Sequence, residues 1–110
     1  MMLRETEKAL RSPLIVVVVA KIRTDKKGIP EIEQILSAGA ATQNIVTALV
    51  AQQYGCMWKT GAAAYDSNVK SALGIDPSDH IVAFLHVGTT EVPGDPNRTA
   101  DFRDFVEDWT

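Results

Sequence analysis

The chain has 110 residues, of which 45% are hydrophobic, and its formal net charge is -3. This length allows one domain, and the apolar share is that of a globular chain rather than a disordered one. The 11 Lys and Arg residues are scattered among 14 Asp and Glu residues, so there is no basic stripe for a phosphate backbone and nucleic acid is not an expected partner. Because so short a chain buries a small core, a partner subunit is expected.

The first segments predict a helix and then a buried strand. Residues 2 to 11 are predicted to end a helix, which Ser12 and Pro13 stop. The next run, LIVVVVA, is apolar without alternation, which is typical of a strand covered on both faces at the centre of a sheet. The whole apolar run is shorter than the roughly 20 residues needed to span a bilayer, so no membrane association is expected. The polar stretch TDKKG predicts a turn.

A long helix is predicted to begin at Pro30 and to run to Tyr54, with Gly55 as its stop. Its middle, SAGAATQNIVTALVA, carries apolar or small residues on several sides, which indicates a buried helix. Gly39 costs such a helix about 1 kcal/mol relative to alanine, so a packing reason for it is expected.

The second half of the chain predicts short elements and a polar tail. CMWKT is predicted to be a short strand or extended segment, and GAAAY a loop. A short helix from Ser67 to Leu73 is capped by Asp66 and stopped by Gly74. After a turn, HIVAFLHVG predicts a second apolar strand.

Residues 89 to 110 are predicted to form an extended tail or arm of the single domain that residues 1 to 110 make up. The end of this tail again has an apolar face, and it is predicted to be either a short helix or an arm. Because this face has no core of its own to join, it is expected to lie on a neighbouring subunit. That face consists of Phe102, Phe105, Val106 and Trp109.

Few residues in the sequence suggest catalysis by side chains. His80 and His86 have no further ligands at the spacing of a motif such as H-E-x-x-H, so each is predicted to be a partly exposed strand residue and no metal is expected. Neither a G-x-S-x-G elbow nor a G-x-G-x-x-G fingerprint is present. The lone Cys56 forms no disulfide within the chain and fits a reducing cytoplasm, where it is expected to be a buried small hydrophobic residue.

The stretch Trp58-Lys59-Thr60-Gly61 leaves two interpretations open. It offers a flat apolar ring, a mobile cation, a hydroxyl and a glycine at which a backbone amide can approach a ligand closely. A tryptophan in the core with a solvated lysine beside it is the more frequent arrangement of such residues.

Several spaced motifs, together covering about residues 12 to 95, resemble the FMN-dependent nitroreductase family, and in particular its compact branch. The family pattern is an apolar strand, a helix reading roughly E-x-x-S-A-G-x-A-x-x-N, a G-x-x-W-[RK]-[ST]-G segment, a short helix ending in L-G, and a strand running into a glycine. In this chain the motif residues are Glu33, Ser37, Ala38, Gly39, Ala41, Asn44, Gly55, Trp58 to Gly61, Leu73, Gly74 and Gly88.

The resemblance implies an α+β fold, with a central sheet and a long buried helix, that forms an obligate homodimer and binds FMN in a pocket built from both subunits. It implies that Trp58, Lys59, Thr60 and Gly61 line the flavin and that the end of the long helix faces NAD(P)H. The helix residues concerned are Ala48, Leu49, Val50, Ala51, Gln52 and Gln53. The flavin would carry hydride from NAD(P)H to a small-molecule electron acceptor, a nitroaromatic or a quinone, and no catalytic side chain is expected.

Two departures from the family pattern leave alternatives open. The family helix closes with a G-x-G step, where this chain has Gln52, Gln53, Tyr54 and then Gly55. The chain also matches only the later half of the family pattern and lacks its R-R-S motif, which holds the flavin phosphate. A truncated chain, a gene fragment and a split protein whose other half is a separate chain are the alternatives. Arg98 in the tail is a candidate phosphate contact, and a non-catalytic dimerisation or ligand-binding module is the alternative function.

Overall fold

The computed structural model describes residues 11–25, 28–91, 94–95 and 97–109. Within these ranges the chain forms three strands, two α-helices and two short 3-10 turns. In chain order they are β1 (Leu14–Ala20), α1 (Glu31–Ala51), β2 (Gly55–Lys59), a 3-10 turn (Ala62–Tyr65), α2 (Ser67–Ala72), β3 (His80–Gly88) and a second 3-10 turn (Phe102–Phe105). The helix predicted over residues 2 to 11 lies outside the described residues except for Arg11.

The three strands form one antiparallel sheet in the order β1-β3-β2. The sequence predicts β1 at the centre of a sheet, and this prediction is wrong for the described part of the chain, where β3 is central and β1 pairs with β3 only. A continuous apolar run predicts that both faces of a strand are covered. It carries no information on which strands pair along the backbone edges, and so the pattern could not fix the strand order.

The core lies between one face of the sheet and α1. Along β3 the residues alternate between buried and half-buried, and Ala83, Leu85 and Val87 are 0%, 0% and 5% exposed. Partly buried side chains from β1, α1 and β2 pack against these three: Val16, Val18, Ile45, Val46, Leu49 and Cys56. The alternation follows from the pleat, which turns successive side chains of a strand to opposite faces.

The long helix of the α+β fold is confirmed, although α1 is shorter than predicted and begins after Pro30, which is its N-cap residue. It ends at Ala51 because Gln53 adopts a left-handed backbone (φ 69°), so that Gly55 starts β2 rather than stopping the helix. Only Thr42 of α1 is fully buried, and Leu36 and Val50 remain 64% and 60% exposed. The described chain therefore does not supply the predicted burial of this helix, because a single sheet covers only one of its sides.

Gly39 also lacks a packing reason within the described chain. A Cβ atom built onto this glycine would meet no atom within 4 Å. Whatever favours glycine at this position is not a close contact with another described residue.

The short helix α2 has the cap and the stop that the sequence predicts. The carboxylate of Asp66 accepts hydrogen bonds from the backbone N–H groups of Asn68 and Val69 at 2.7 and 3.3 Å. These bonds satisfy two of the donors that a helix start leaves open. Gly74 ends the segment with φ 70°, and the backbone of Ile75 donates to the carbonyl of Lys70 at 2.8 Å.

The described tail residues are exposed and add nothing to the core. The four residues of the predicted apolar face of the tail are 59% to 103% exposed. Phe102 to Phe105 form the second 3-10 turn. None of the described helices combines the length and apolar content that a membrane crossing requires. Among the described residues, no group of His, Cys, Asp and Glu side chains is placed to hold a metal ion.

Candidate functional site

A pocket of about 780 Å³ lies on the face of the sheet opposite α1. Its floor is formed by Ile15 and Val17 of β1 and by Phe84 and His86 of β3. The segment Lys59 to Ala63, which leaves β2 and enters the first 3-10 turn, provides one wall. The remaining lining residues are Arg11, Val69 and Leu73. The volume lies within the usual range for a small-molecule site, about 300 to 1,000 Å³.

Strand alternation explains why these side chains share a face. Lys59 lies opposite Phe84 in the β2–β3 pair, and Ile15 lies opposite His86 in the β1–β3 pair. Because residues opposite each other point to the same side of a sheet, the four side chains stand together on the pocket face. Their neighbours along the strands, such as Leu85, point to the core instead.

The wall beyond β2 depends on a change of direction at Gly61. This glycine has φ 67°, a left-handed value that costs a residue with a Cβ atom more than it costs glycine. The turn that follows is held in place by Ala64, which is 2% exposed, while Ala62 is exposed and Ala63 half-buried at the pocket wall. The sequence G-A-A-A therefore gives a wall with little side-chain bulk.

The described lining residues of the pocket carry more positive than negative charge. Arg11, Lys59 and His86 line it, and no acidic side chain is among its described lining residues. Burial lowers the pKa of His86, and the nearby positive charges of Lys59 and Arg11 lower it further. The Nδ1 atom of His86 lies 3.0 Å from the hydroxyl oxygen of Ser12. His86 is therefore held in one orientation and is mainly neutral at pH 7.

Of the residues predicted to line a flavin, Lys59, Thr60 and Gly61 line this pocket. Trp58 stands on the other face of the sheet, opposite Leu85, and its Nε1 donates a hydrogen bond to the carbonyl of Val82 at 3.1 Å. Trp58 is 41% exposed. It is therefore neither a buried core tryptophan nor a ring that lines the pocket, which are the two arrangements that the sequence left open. Its main chain still leads directly into the pocket wall.

The residues predicted to face NAD(P)H lie at the opposite end of β2. Among Ala48 to Gln53, Leu49 packs on the core cluster and the other five are exposed. The helix end joins β2 at Gly55, and about 13 Å of strand separates Gly55 from Lys59. The described chain therefore does not bring this group and the pocket wall together. Arg98 is exposed in the tail and is not part of the pocket lining.

The sequence reasoning missed most of the pocket floor. The period-2 pattern of HIVAFLHVG already places Phe84 and His86 on one face, and this signal was available. Arg11, Val69 and Leu73 come from distant segments, and no local pattern connects them to β3. Cys56 is half-buried beside the core cluster, where burial raises the pKa of its thiol, in keeping with the predicted small hydrophobic residue.

Comparisons with known proteins agree with this fold. Two curated relatives carry the name "Putative NAD(P)H nitroreductase". One is YdjA of Escherichia coli, 42% identical over 82 residues, and the other is from Haemophilus influenzae, 33% identical over 99 residues. The matches cover 74% and 89% of this chain but only 44% and 54% of the relatives, so the chain spans about half of their length.

A crystal structure of a nitroreductase-like family protein from Bacillus cereus shows the same fold. It superimposes with a TM-score of 0.78 at 22% identity, and the match covers 96% of this chain and 56% of the other. The model of the nitroreductase family itself matches residues 2–89. This chain therefore belongs to the nitroreductase family, in the branch that includes YdjA.

Proposed function

We propose that the chain provides one wall of the flavin site of an FMN-dependent NAD(P)H oxidoreductase that reduces nitroaromatic or quinone-type acceptors. The observation that carries the proposal is the position of Lys59, Thr60 and Gly61 on a pocket of small-molecule size in a member of the nitroreductase family. When bound, FMN supplies the hydride chemistry, and the protein binds and orients the reactants.

The pocket residues fit a flavin ring. Phe84, Val69 and Leu73 offer apolar surface for a flat ring, and the small residues Gly61, Ala62 and Ala63 leave room for it beside the wall. Lys59 would offer a positive charge to a flavin bound in this pocket. Trp58 contributes its main chain, because its ring lies on the other face of the sheet.

The other predicted parts of the site belong to the same proposal. The end of α1, from Ala48 to Gln53, faces the nicotinamide cofactor, and Arg98 contacts the flavin phosphate. The enzyme acts as a cytoplasmic homodimer. The exposed apolar side chains of α1, including Leu36 and Val50, support a subunit interface, because a second subunit packed on them would remove apolar surface from water.

The proposal is tested by purifying the chain in the presence of FMN and following oxidation of NADH and NADPH with a nitroaromatic or a quinone as acceptor. The expected result is a flavin absorption band that co-elutes with the protein and acceptor-dependent oxidation of the nicotinamide. A folded dimer without flavin and without turnover would favour the non-catalytic dimerisation or ligand-binding module instead.

A further inference from the structure

We propose that Trp58 is a positioning residue, whose indole N–H replaces the backbone of β2 at the point where that strand leaves β3, and which thereby fixes the pocket wall from Thr60 to Ala63. The function proposed above uses only the main chain of Trp58, and this inference assigns a task to its ring. That the wall holds a flavin rests on the proposed function, whereas the anchoring of the wall does not.

The pairing of β3 with its neighbours is interrupted at Val82. The register between β1 and β3 shifts between Val18 and Val19 and skips Val82. On the other side, the pairing of β2 ends where Lys59 lies opposite Phe84. Among the described strands, Val82 therefore has no partner residue on either side. A residue at such a bulge is left out of the ladder, and bulges are common next to active sites.

The side chain of Trp58 donates a hydrogen bond at this interruption. Its Nε1 lies 3.1 Å from the carbonyl oxygen of Val82. If the register of β2 continued for two residues beyond Lys59, it would place Gly61 opposite Val82. Gly61 instead adopts φ 67° and enters the wall. The indole thus donates where a continued strand would have lain, and the carbonyl of Val82 keeps a partner.

The wall itself has weak internal support. The backbone N–H of Ala64 donates to the carbonyl of Gly61, and that of Asp66 donates to the carbonyl of Ala63, both at 3.3 Å. These bonds are long, since N–H···O distances in proteins centre on about 2.9 to 3.0 Å. The bond from Trp58 lies at the last residue but one of β2, so it sets the direction in which the chain leaves the sheet.

Hydrogen exchange in the chain without ligand tests the anchoring. In Trp58→Phe, exchange of the Ala64 and Asp66 amides is expected to be about fivefold faster, because the variant lacks the donor. The amides of β1 are expected to change by less than about twofold, since β1 pairs with β3 on its other side. Equal acceleration throughout the sheet would assign Trp58 to overall stability and would overturn the proposal.

Trp109→Phe is the matched control, because Trp109 is the other tryptophan of the chain and is 103% exposed. It is expected to leave exchange at the wall unchanged. An equal effect of the two substitutions on the wall amides would contradict a specific role of Trp58.

An isosteric replacement separates the N–H group from the ring. In the Trp109→Phe chain, Trp58 is the only tryptophan, so biosynthetic incorporation of 3-benzothienylalanine replaces its N–H by sulfur and keeps the shape of the ring. The same faster exchange at Ala64 and Asp66 is expected. Exchange like that of the Trp109→Phe chain would show that the ring, and not its hydrogen bond, holds the wall, and would overturn the proposal.

Titration with FMN connects the anchoring to the proposed site. Quenching of flavin fluorescence is expected to give a Kd about fivefold higher for the benzothienylalanine chain than for the Trp109→Phe chain. Ile45→Val, a conservative change in the core packing, controls for lowered stability and is expected to leave the Kd within about twofold.

The two measurements separate the two claims. Faster exchange at the wall in a protein that binds no FMN would reject the proposed function and leave the anchoring by Trp58 in place. FMN binding of equal affinity with and without the indole N–H would reject this inference alone.

Discussion

The two faces of β3 differ although they belong to one nine-residue strand. The face that carries Ala83, Leu85 and Val87 is covered by α1 and is closed. The face that carries Phe84 and His86 is open to a large pocket with positive charges beside it. A single alternating strand thus separates the stabilising core from the candidate binding site. Residues adjacent in the sequence of β3 therefore contribute alternately to the core and to the site.

Substitution of adjacent residues tests this division most strongly. Leu85→Ala is expected to lower the free energy of unfolding by about 2 to 5 kcal/mol, because the side chain is fully buried and its removal leaves a cavity. Phe84→Ala is expected to cost only about 1 kcal/mol, since its side chain is half-buried at the edge of the pocket. Urea unfolding measures both changes, and equal costs would contradict the division.

For ligand binding, the substitution at Phe84 is expected to have a larger effect than a substitution at Leu85. Phe84→Ala is expected to weaken FMN binding severalfold, because the floor loses its aromatic surface. A conservative core change, Leu85→Met, serves as the control and is expected to leave the affinity within about twofold.

Gly39→Ala extends the comparison to α1, whose exposed surface is larger than that of a core helix. Because the new Cβ atom would meet nothing within 4 Å, the substitution is expected to stabilise the isolated chain by about 1 kcal/mol. Thermal or urea unfolding at low protein concentration measures this change. Destabilisation together with loss of the dimer in sedimentation would show that a partner subunit, rather than solvent, lies against Gly39.

His86 gives the open face a pH dependence on the acid side of neutral pH. Its pKa lies below the ordinary value of 6.5 in the folded chain, so the unfolded chain takes up the proton first as the pH falls. The free energy of unfolding is therefore expected to decrease as the pH is lowered through about 6.5 and to level off below the folded pKa. Urea unfolding between about pH 5 and pH 8 measures the change.

Two histidine variants assign this effect. His86→Gln removes the histidine part of the slope, whereas His80→Gln retains the part that belongs to His86. An unchanged slope in His86→Gln would contradict the account of the pocket charges.

The smallest effect is expected at the start of β3, away from both faces. His80 Nε2 lies 2.7 Å from a carboxylate oxygen of Glu31, which joins β3 to the first turn of α1. Both side chains are exposed, so Glu31→Gln is expected to cost less than about 1 kcal/mol. A double-mutant cycle with His80→Ala measures the coupling, and a coupling well above that limit would show a stronger link between sheet and helix than exposed pairs provide.

Local patterns predicted the local structure well. The Asp66 cap and the span of β3 are confirmed, because caps and strand alternation depend on residues close in sequence. The centre of the sheet was assigned to the wrong strand, because apolar side chains carry no information about backbone pairing. The pocket could not be assembled from the sequence, since Arg11, Leu73 and His86 come together only through long-range packing. The resemblance identified one wall of the pocket and missed its floor.

The central claim, that the pocket wall formed by Lys59 to Ala63 holds a flavin, is tested most directly by titrating FMN with the purified chain and following flavin fluorescence. The account predicts saturable quenching by the wild type and its loss in Ala62→Trp, which fills the pocket from its wall. Ala72→Trp, on an exposed position outside the lining, is the matched control and should quench like the wild type. Absence of quenching with a folded wild-type chain, or equal quenching by Ala62→Trp, would contradict the claim.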